Sequence, residues 1–205
     1  AHEIRNPLST INIYLTMLKK ILDSGEGTHK VPGIITNIQQ ASLRIHAVIR
    51  RIMDFSKPSE PKLILCDIKD PIEDAIRLAS TTLYKAGIAL VSHLAPGKGI
   101  CRLDPHMIEQ VLLNLITNAA EAMQDMSGEK HITISSSIEP GHVVVFVADS
   151  GPGIPAHLRS KIFEPFYTTK TDSTGIGLSI CHRIISDHKG YLRVEESRLG
   201  GAEFI

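Results

Sequence analysis

The spacing of apolar residues near the start of the chain is the feature that most restricts how it can fold. From Ile4 to Leu22, apolar side chains follow one another at intervals of 4, 3, 4, 3 and 4 residues. This is the repeat of a packed helix pair. A break rich in glycine and proline, DSGEGTHKVPG, precedes a second run with helical spacing that reaches Phe55. The sequence therefore predicts a helical hairpin.

The size of this hairpin predicts a partner for it. A hairpin of about 55 residues buries only one face of each helix, and a unit of that size rarely folds alone. Two copies can bury the remaining faces in a four-helix bundle. The alternative is that the hairpin packs against the rest of its own chain. We expect the homodimer.

The rest of the chain has a mixed pattern. SKPSEP interrupts the second helix, because Pro58 and Pro61 make a stiff, non-helical linker. We place the domains at residues 1–57 (hairpin), 58–62 (linker) and 63–205. In the last domain, helices are predicted over residues 70–86, 104–126 and 177–188, and strands in residues 88–94, HITISSSI, HVVVFVAD, YLRVEES and AEFI.

The short link between HITISSSI and HVVVFVAD indicates the class of this second domain. Only Glu139-Pro140-Gly141 joins them, which is too short for a parallel crossover. Antiparallel neighbours with separate helices are typical of an α+β sandwich, and a doubly wound sheet fits less well. Asp104-Pro105 is the expected cap and first turn of the long helix.

Composition excludes several classes of function. Lys plus Arg and Asp plus Glu both number 22, so the net charge does not favour nucleic acid. The three cysteines are widely spaced without a CxxC pair, which suits a reducing, cytoplasmic compartment. There is no signal peptide and no run of about 18 apolar residues. The chain starts without methionine and ends in an apolar run, so we expect a fragment whose membrane attachment, if any, lies upstream.

Polar residues on the long helix point to a phosphate or metal site. Asn114, Asn118 and Glu121 fall at spacings of four and three, on one face of the helix. Carboxamides are costly to bury without partners, and a metal ion or a metal-bridged phosphate would satisfy them. The alternative is an exposed polar stripe on an amphipathic helix.

Two glycine motifs also suit a ligand. DSGPGIP, residues 149–155, follows an apolar strand and combines a carboxylate with glycines that permit close backbone approach. TGIGLSI, residues 174–180, places glycines just before a helix, where backbone N–H groups can hold phosphate. Ordinary turns and helix caps can share both patterns. GxxxxGK[ST] is absent from the sequence, which excludes a P-loop.

Two further segments carry polar chemistry. FEPFYTTKTDST lies between the glycine motifs, and its second half lacks apolar residues, as in a mobile lid with Lys170 available for phosphate. A plain surface loop is the alternative. At the start of the chain, HEIRN puts His2 and Asn6 on one helical face, with Glu3 adjacent. A neutral imidazole can attack phosphorus without prior deprotonation.

Five of these segments together resemble a known family. HEIRNPL, NLITNAAEAM, DSGPGIP, FEPFYTTK and TGIGLSI are similar, in this order, to the five sequence boxes of bacterial two-component sensor histidine kinases. They span nearly the whole chain. Any single box is unspecific, but five in the family's order are not a chance match. The form FEPFYTTK is similar to the nitrogen-regulation-like branch.

The resemblance implies a fold, an activity and a site. The fold would be a dimerisation and phosphotransfer hairpin followed by a Bergerat-type ATP-binding sandwich. The activity would be Mg-ATP-dependent phosphorylation of His2, transfer to an aspartate on a response regulator receiver domain, and dephosphorylation of that partner. Asp149 would accept from the adenine amino group, and Asn118 would hold Mg²⁺. The implied nucleotide-binding residues are Asn114, Asn118, Asp149, Gly151, Gly153, Lys170, Thr174, Gly175, Gly177 and Leu178.

The residues around His2 fit this role, with one conflict. Glu3 can accept the Nδ1 proton and leave the Nε2 lone pair free, and Asn6 matches the family position that orients water in dephosphorylation. Locally, however, Asn6-Pro7 reads as an N-cap followed by the first helical residue, which would leave His2 outside the helix. The apolar repeat starts before Pro7 and favours a helix that runs through the proline.

Two rival functions remain open at this stage. Gyrase-type ATPases share the nucleotide fold, but they carry a glutamate base where Asn114 stands, and an amide cannot abstract a proton. A dimeric binding module without catalysis is the second rival. The presence of His2, Asn118, Asp149 and Lys170 argues against it.

Overall fold

A computed structural model describes residues 2–56, 60–170 and 174–205, with the side chains of residues 2–5, 44 and 46–56 left undescribed. The chain divides into two compact units. The helical unit comprises Ala1–Pro58 and Thr168–Ile176, and the sheet unit comprises Ser59–Tyr167 and Gly177–Ile205.

The helical unit contains the predicted hairpin. Helix α1 spans His2–Ser24 and α2 spans Val31–Ser56, with a 3₁₀ turn at Thr28–Lys30 between them. The two helices pack against each other. Gly25, at a φ of 71°, ends α1 by donating its N–H to the carbonyl of Ile21 over 2.9 Å. Glycine suits this position because its φ lies in the left-handed region.

Helix α1 runs through Pro7 rather than beginning there. The reading in which Asn6 caps a helix that starts at Pro7 is therefore wrong, and the continuous helix is confirmed. Pro7 has no N–H to donate within the helix. One turn later the Thr10 hydroxyl donates to the carbonyl of Asn6 over 3.1 Å, in addition to the helical backbone pattern. The backbone of His2 is thus helical.

The apolar repeat of α1 divides into two stripes. Ile11 and Leu18 are half-buried in the hairpin. Leu8, Leu15 and Leu22, at intervals of seven residues, are 50%, 50% and 77% exposed. The single seam expected from the sequence is therefore only partly used within one hairpin, and its leucine stripe remains at the surface.

The sheet unit is an α+β sandwich, as expected. Its elements are β1 (Ile64–Asp67), α3 (Lys69–Lys85), β2 (Ile88–His93), β3 (Ile100–Leu103), α4 (Pro105–Ala122), β4 (Lys130–Glu139), β5 (His142–Asp149), α5 (Gly177–Asp187), β6 (Val194–Glu196) and β7 (Ala202–Phe204). The main sheet has the order β2-β4-β5-β7-β6. Strands β4, β5, β7 and β6 are antiparallel neighbours, whereas β2 pairs parallel to β4.

Three helices cover this sheet and form the core with it. Ile72 of α3, Ile116 of α4 and Cys181 of α5 are almost wholly inaccessible, as are Ile132 and Ile134 of β4. Alternate residues of β4 face the helices, which is the period of a strand with one buried face. The core therefore lies between one helical layer and one sheet.

Two details differ from the sequence expectations. Helix α4 ends at Ala122 rather than near Met126, because the chain turns at Met123, whose N–H bonds to Ala119 and Ala120. A separate antiparallel pair, β1 with β3, was not predicted. Each of its strands has only four residues, too few for an alternating pattern to stand out.

The start of α4 is held by a polar network around Asp104. The Asp104 carboxylate accepts from the backbone N–H groups of His106 and Met107 through Oδ1, and from that of Lys62 through Oδ2. The Asp104 N–H donates to Nε2 of His188, just after α5, over 2.9 Å. The predicted cap is therefore confirmed, and it also connects α4 to the segment before β1 and to the end of α5.

Among the residues that the structure describes, no helix combines the length and apolar character needed to cross a bilayer.

Candidate functional site

Asp149 is a buried carboxylate at the end of a central strand. It is the last residue of β5 and only 4% exposed. Its Oδ1 accepts from the N–H of Gly151 over 2.8 Å and from the N–H of Ala202 over 3.1 Å. Its Oδ2 accepts no hydrogen bond from any residue in the described part of the chain. One buried acceptor is therefore left for a ligand donor.

The surroundings of Asp149 also affect its protonation. Burial raises the pKa of the carboxyl, and the two backbone hydrogen bonds oppose that effect without cancelling it. A buried carboxylate that retains an unused acceptor is unfavourable for folding alone. Such a group is typical of a binding site.

Glycines surround this carboxylate where a side chain would not fit. A Cβ on Gly201 would collide with the Asp149 carboxylate, and one on Gly151 would lie 2.8 Å from Oδ1. Gly153 has a φ of 72°, and its Cβ would lie 3.3 Å from the carbonyl of Gly201. The DSGPGIP segment is thus a turn packed closely against the Oδ1 side of the Asp149 carboxylate, which only glycine permits.

The two asparagines of α4 differ in their surroundings. Asn114 donates from Nδ2 to the Sγ of Cys181 in α5 over 3.0 Å, and it lies against Gly177. Asn118, one turn further along, is half-buried, and its side chain makes no hydrogen bond to a described residue. A half-buried carboxamide without a partner is a suitable oxygen ligand for a hard cation.

Helix α4 connects this asparagine pair with the Asp149 turn. Ala122 and Met123, at its end, lie 3.6 Å and 3.5 Å from the position of a Cβ on Gly151. Asn114 and Ala122 are eight residues apart, which corresponds to roughly 12 Å along a helix. The sheet unit therefore has the Asp149 carboxylate near the end of α4 and the carboxamides of Asn114 and Asn118 further toward its start. This arrangement fits an elongated ligand that has a hydrogen-bond donor at one end and a metal-bound anionic group at the other.

Two known protein families match parts of this sequence. Residues 103–205 match the family described as histidine kinase-, DNA gyrase B-, and HSP90-like ATPase. Residues 1–61 match the His Kinase A (phospho-acceptor) domain. The second match separates kinases from the other members of the first family.

The chain belongs to the two-component sensor histidine kinases.

Individual relatives agree with this family. The kinase core is 31% identical to the sensor protein FixL of Bradyrhizobium diazoefficiens, and 30% identical to the signal transduction histidine-protein kinase AtoS of Escherichia coli. Both alignments cover 100% of this chain, but only 41% of FixL and 33% of AtoS. The chain thus spans less than half the length of these relatives.

Solved structures agree in fold. The histidine kinase ThkA in complex with the response regulator protein TrrA is 33% identical, with a TM-score of 0.76 over 100% of this chain and 57% of that one. The catalytic domain of ThkA is 34% identical, with a TM-score of 0.63 over 70% of this chain and 92% of that one. The expected fold of hairpin plus ATP-binding sandwich is confirmed.

The structure brings some of the expected site residues of this kinase core together. Within the sheet unit, Asn114 meets Gly177, and Asp149 meets Gly151 in the turn that includes Gly153. Leu178, the second residue of α5, is half-buried and packs on the core.

Other expected residues lie in the helical unit. The N–H of Lys170 donates to the Thr168 hydroxyl over 3.0 Å, and that of Ile176 donates to the Thr174 hydroxyl over 3.4 Å. Gly175 has a φ of 62°. The side chains of His2 and Glu3 lie outside the described residues, while Asn6 is exposed on α1.

Two residues of the site were missed by the sequence reasoning. Cys181 contacts Asn114, and Gly201 closes the turn around Asp149. Cys181 follows Gly177 by one helical turn, so the spacing placed it on the same face, but nothing local linked it to Asn114. Gly201 stands in a glycine pair before β7, a pattern that many turns share.

Proposed function

We propose that this kinase core catalyses Mg-ATP-dependent phosphorylation of His2, followed by transfer of the phosphoryl group to an aspartate of a response regulator. The observation that carries the proposal is Asp149, a buried carboxylate whose Oδ1 is packed against Gly151 and Gly201 and whose Oδ2 is left for a ligand. Hydrolysis of ATP by the chain alone is disfavoured, because Asn114 cannot act as a general base.

We assign recognition of the base to the Asp149 turn. An ionised Oδ2 accepts from the amino group of adenine, and the cost of burying the carboxylate is offset when that hydrogen bond forms. Gly151 and Gly201 let the turn pack against Oδ1 of Asp149, and Gly153 lets it pack against Gly201, which leaves Oδ2 for the base. A guanine base presents a carbonyl at the corresponding position, so the carboxylate discriminates against it.

The phosphate end is assigned to α4, the start of α5 and Lys170. Asn118 fits Mg²⁺ because its half-buried carboxamide has no partner in the described part of the sheet unit. When bound, Mg²⁺ neutralises charge on the phosphates. Thr174, Gly175, Gly177 and Leu178 are proposed to line this end, with the ammonium of Lys170 as an additional cation.

The residues at the start of α1 are assigned to phosphoryl transfer. Nε2 of His2 attacks the γ-phosphorus, so an N–P bond forms while the bond to the leaving oxygen of ADP breaks. Glu3 holds the Nδ1 proton and thereby keeps the Nε2 lone pair available. Asn6 is proposed to orient water when the phosphorylated regulator is dephosphorylated. The helical backbone at His2 supports this assignment.

A second copy of the chain is proposed to cover the leucine stripe of α1. Leu8, Leu15 and Leu22 recur every seven residues and are at least half exposed. That repeat is the one by which helices of a bundle meet. We also propose the domain limits 1–57, 58–62 and 63–205, a location of the core in the cytoplasm, and a receiver domain as its partner, as in the ThkA complex with a response regulator.

Incubation with γ-labelled Mg-ATP tests the function. The unsubstituted chain is expected to acquire a label that is labile in acid and stable in base, because a phosphoramidate behaves in this way. His2→Gln should remove the label. The matched control is His29→Gln, an exposed histidine of the helical unit, which should keep it. Asp149→Asn should remove the label by removing nucleotide binding.

The results separate the assignments. Label that persists in His2→Gln would show that another residue is the acceptor. Release of free phosphate without any labelled protein would favour the ATPase. Nucleotide binding without label or phosphate release would favour a binding module. Incubation of the labelled chain with an isolated receiver domain then tests transfer to aspartate.

A further inference from the structure

Cys181 is a buried thiol that the proposed reaction does not use. It lies in α5 and is 1% exposed. Its Sγ accepts from Nδ2 of Asn114 over 3.0 Å, and its own S–H points to the carbonyl of Val111 at 3.8 Å. Both partners belong to α4, so the thiol connects the two helices at Asn114.

Gly177 restrains the same carboxamide one turn earlier in α5. A Cβ at Gly177 would lie 2.7 Å from Oδ1 and 2.8 Å from Nδ2 of Asn114. The amide therefore lies directly against the backbone of α5. Gly177 and Cys181 are four residues apart and share one face of α5. We call these two residues the clamp: Gly177 holds Asn114 by contact, and Cys181 holds it by a hydrogen bond.

The thiol accepts this hydrogen bond as a neutral group. Burial raises the pKa of Cys181 to about 12. The sulfur of a neutral thiol is a weak acceptor and its hydrogen a weak donor, which matches the two partners observed. While the S–H is directed at the Val111 carbonyl, the amide oxygen of Asn114 cannot take the place of Nδ2 without bringing two acceptors together.

We propose that Cys181 is a positioning residue for the nucleotide site, because its sulfur fixes the carboxamide of Asn114 with Nδ2 toward α5 and leaves Oδ1 as the free acceptor. This inference rests on the proposed function. Oδ1 accepts no hydrogen bond from any described residue. A fixed acceptor suits a cation or a water donor near the phosphates, and it repels a bare phosphate oxygen.

The clamp distinguishes the two asparagines of α4. The side chain of Asn118 has no partner among the described residues and can turn toward a ligand. Asn114 is oriented before any ligand binds, so no orientational freedom of its side chain is lost on binding. Loss of the sulfur would allow the Asn114 amide to rotate, so that either Oδ1 or Nδ2 could face the ligand.

The test compares Cys181→Ser with Cys181→Ala. Both replace the thiol by a smaller group, but only serine keeps an acceptor for Nδ2 and a donor for the Val111 carbonyl. The readout is the dissociation constant for a non-hydrolysable ATP analogue with Mg²⁺, measured by calorimetry on the whole chain. Cys181→Ser should bind within about twofold of the unsubstituted chain, and Cys181→Ala about fivefold more weakly, as expected for one lost hydrogen bond.

A second pair of variants separates positioning from packing. In an Asn114→Ala background, Cys181→Ala should cause no further loss of affinity, because the group it positions is gone. A purely structural effect of the cavity would persist in that background. Cys66→Ala, a thiol in β1 remote from α5 in sequence, should leave the affinity unchanged.

Three results would overturn the inference. Equal affinities of the serine and alanine variants, with binding by the unsubstituted chain intact, would overturn the positioning role alone. A further loss for Cys181→Ala in the Asn114→Ala background would do the same. Absence of binding by the unsubstituted chain would overturn both this inference and the proposed function.

Discussion

At the scale of single residues, Asp149 lowers the stability of the fold that holds it. Because burial raises its pKa, the folded state prefers the protonated form. The stability contributed by that form is complete below the pKa of about 3.9 in the unfolded chain. It is lost as pH rises through the folded-state pKa. At neutral pH, the ionised carboxylate therefore costs folding free energy, which the proposed hydrogen bond to a ligand would offset.

Asp149→Asn should therefore raise the melting temperature at pH 7 while nucleotide binding is lost. Asparagine keeps an oxygen for the N–H groups of Gly151 and Ala202 without a buried charge. The gain should be smaller at pH 4.5 than at pH 7, because protonation relieves the unsubstituted chain there. Thermal unfolding followed by circular dichroism measures both. An exposed control, Asp125→Asn, should show no gain, and a lower melting temperature for Asp149→Asn at pH 7 would contradict the argument.

Gly201→Ala should destabilise the sheet unit and weaken nucleotide binding. The new methyl group would collide with Asp149, and overpacking of this kind costs about 1–3 kcal/mol. Urea unfolding and nucleotide affinity check the two effects. Gly33→Ala is the matched control, since its Cβ meets nothing within 4 Å and a helical alanine gains about 0.5–1 kcal/mol over glycine. An unchanged urea midpoint for Gly201→Ala would show that the turn around Asp149 can shift to accommodate the methyl group.

The sequence identified Asp149 but not all of its contacts, for a physical reason. Asp149 and Gly151 are neighbours, and an acidic residue followed by glycines after an apolar strand is a local pattern. Ala202, which donates to the same carboxylate, is 53 residues away, and Asn114 is 67 residues from Cys181. Such pairs depend on the packing of distant elements, which no local pattern encodes.

At the scale of elements, Asp104 controls the start of α4. Burial alone would raise its pKa, but hydrogen bonds from the backbone of Lys62, Met107 and His106 outweigh burial and lower it. A carboxyl with a lowered pKa in the folded state contributes stability above its unfolded-state pKa. That contribution is lost as pH falls through the folded-state pKa.

Asp104→Ala should lower the free energy of unfolding at pH 7 by about 1 kcal/mol, the usual cost of a lost N-cap. The difference from the unsubstituted chain should shrink on acidification through the pKa of Asp104. Urea unfolding at pH 7 and at pH 3.5 measures it. Asp104→Asn serves as the conservative control, because asparagine also caps helices, and should keep most of the stability at pH 7. A pH-independent loss for Asp104→Ala would exclude the contribution of the charge.

The predictability of elements follows from their length and regularity. The helices α1 and α5 and the strands β4 and β5 carry long or strictly periodic patterns, and the sequence located them. Strands β1 and β3 have only four residues each, and each strand is stabilised by pairing with the other. The end of α4 was placed too late, because Met123 is a good helix former and its residue type does not mark the turn that the structure has there.

At the scale of the whole molecule, the proposed homodimer depends on the leucine stripe of α1. Leu15→Lys should convert the dimer into a monomer, since a charge in the middle of a bundle interface is not tolerated without a partner. Sedimentation velocity measures the oligomeric state directly. Leu65→Lys is the control, because Leu65 is 73% exposed in β1 and outside the hairpin. A dimer that survives Leu15→Lys would place the interface elsewhere.

The sequence showed the order of the parts but not how the hairpin shares its apolar residues. Five local motifs and a proline-rich break are sufficient to arrange the parts along the chain. In the apolar repeat of α1, by contrast, Ile11 and Leu15 occupy equivalent positions. Only the structure shows that Ile11 is half-buried within the hairpin while Leu15 is exposed. Packing geometry, which the repeat leaves open, makes that distinction.

The close packing of Gly151 and Gly201 against Asp149 has a consequence for the evolution of duplicated genes. In a copy released from nucleotide binding, selection for stability alone would favour asparagine at position 149, since the ionised carboxylate no longer has a ligand to offset its burial. The glycine at 201 would stay, because the backbone there still lies against the turn. A sequence with this glycine but without the acid would therefore mark a pseudokinase that keeps its fold.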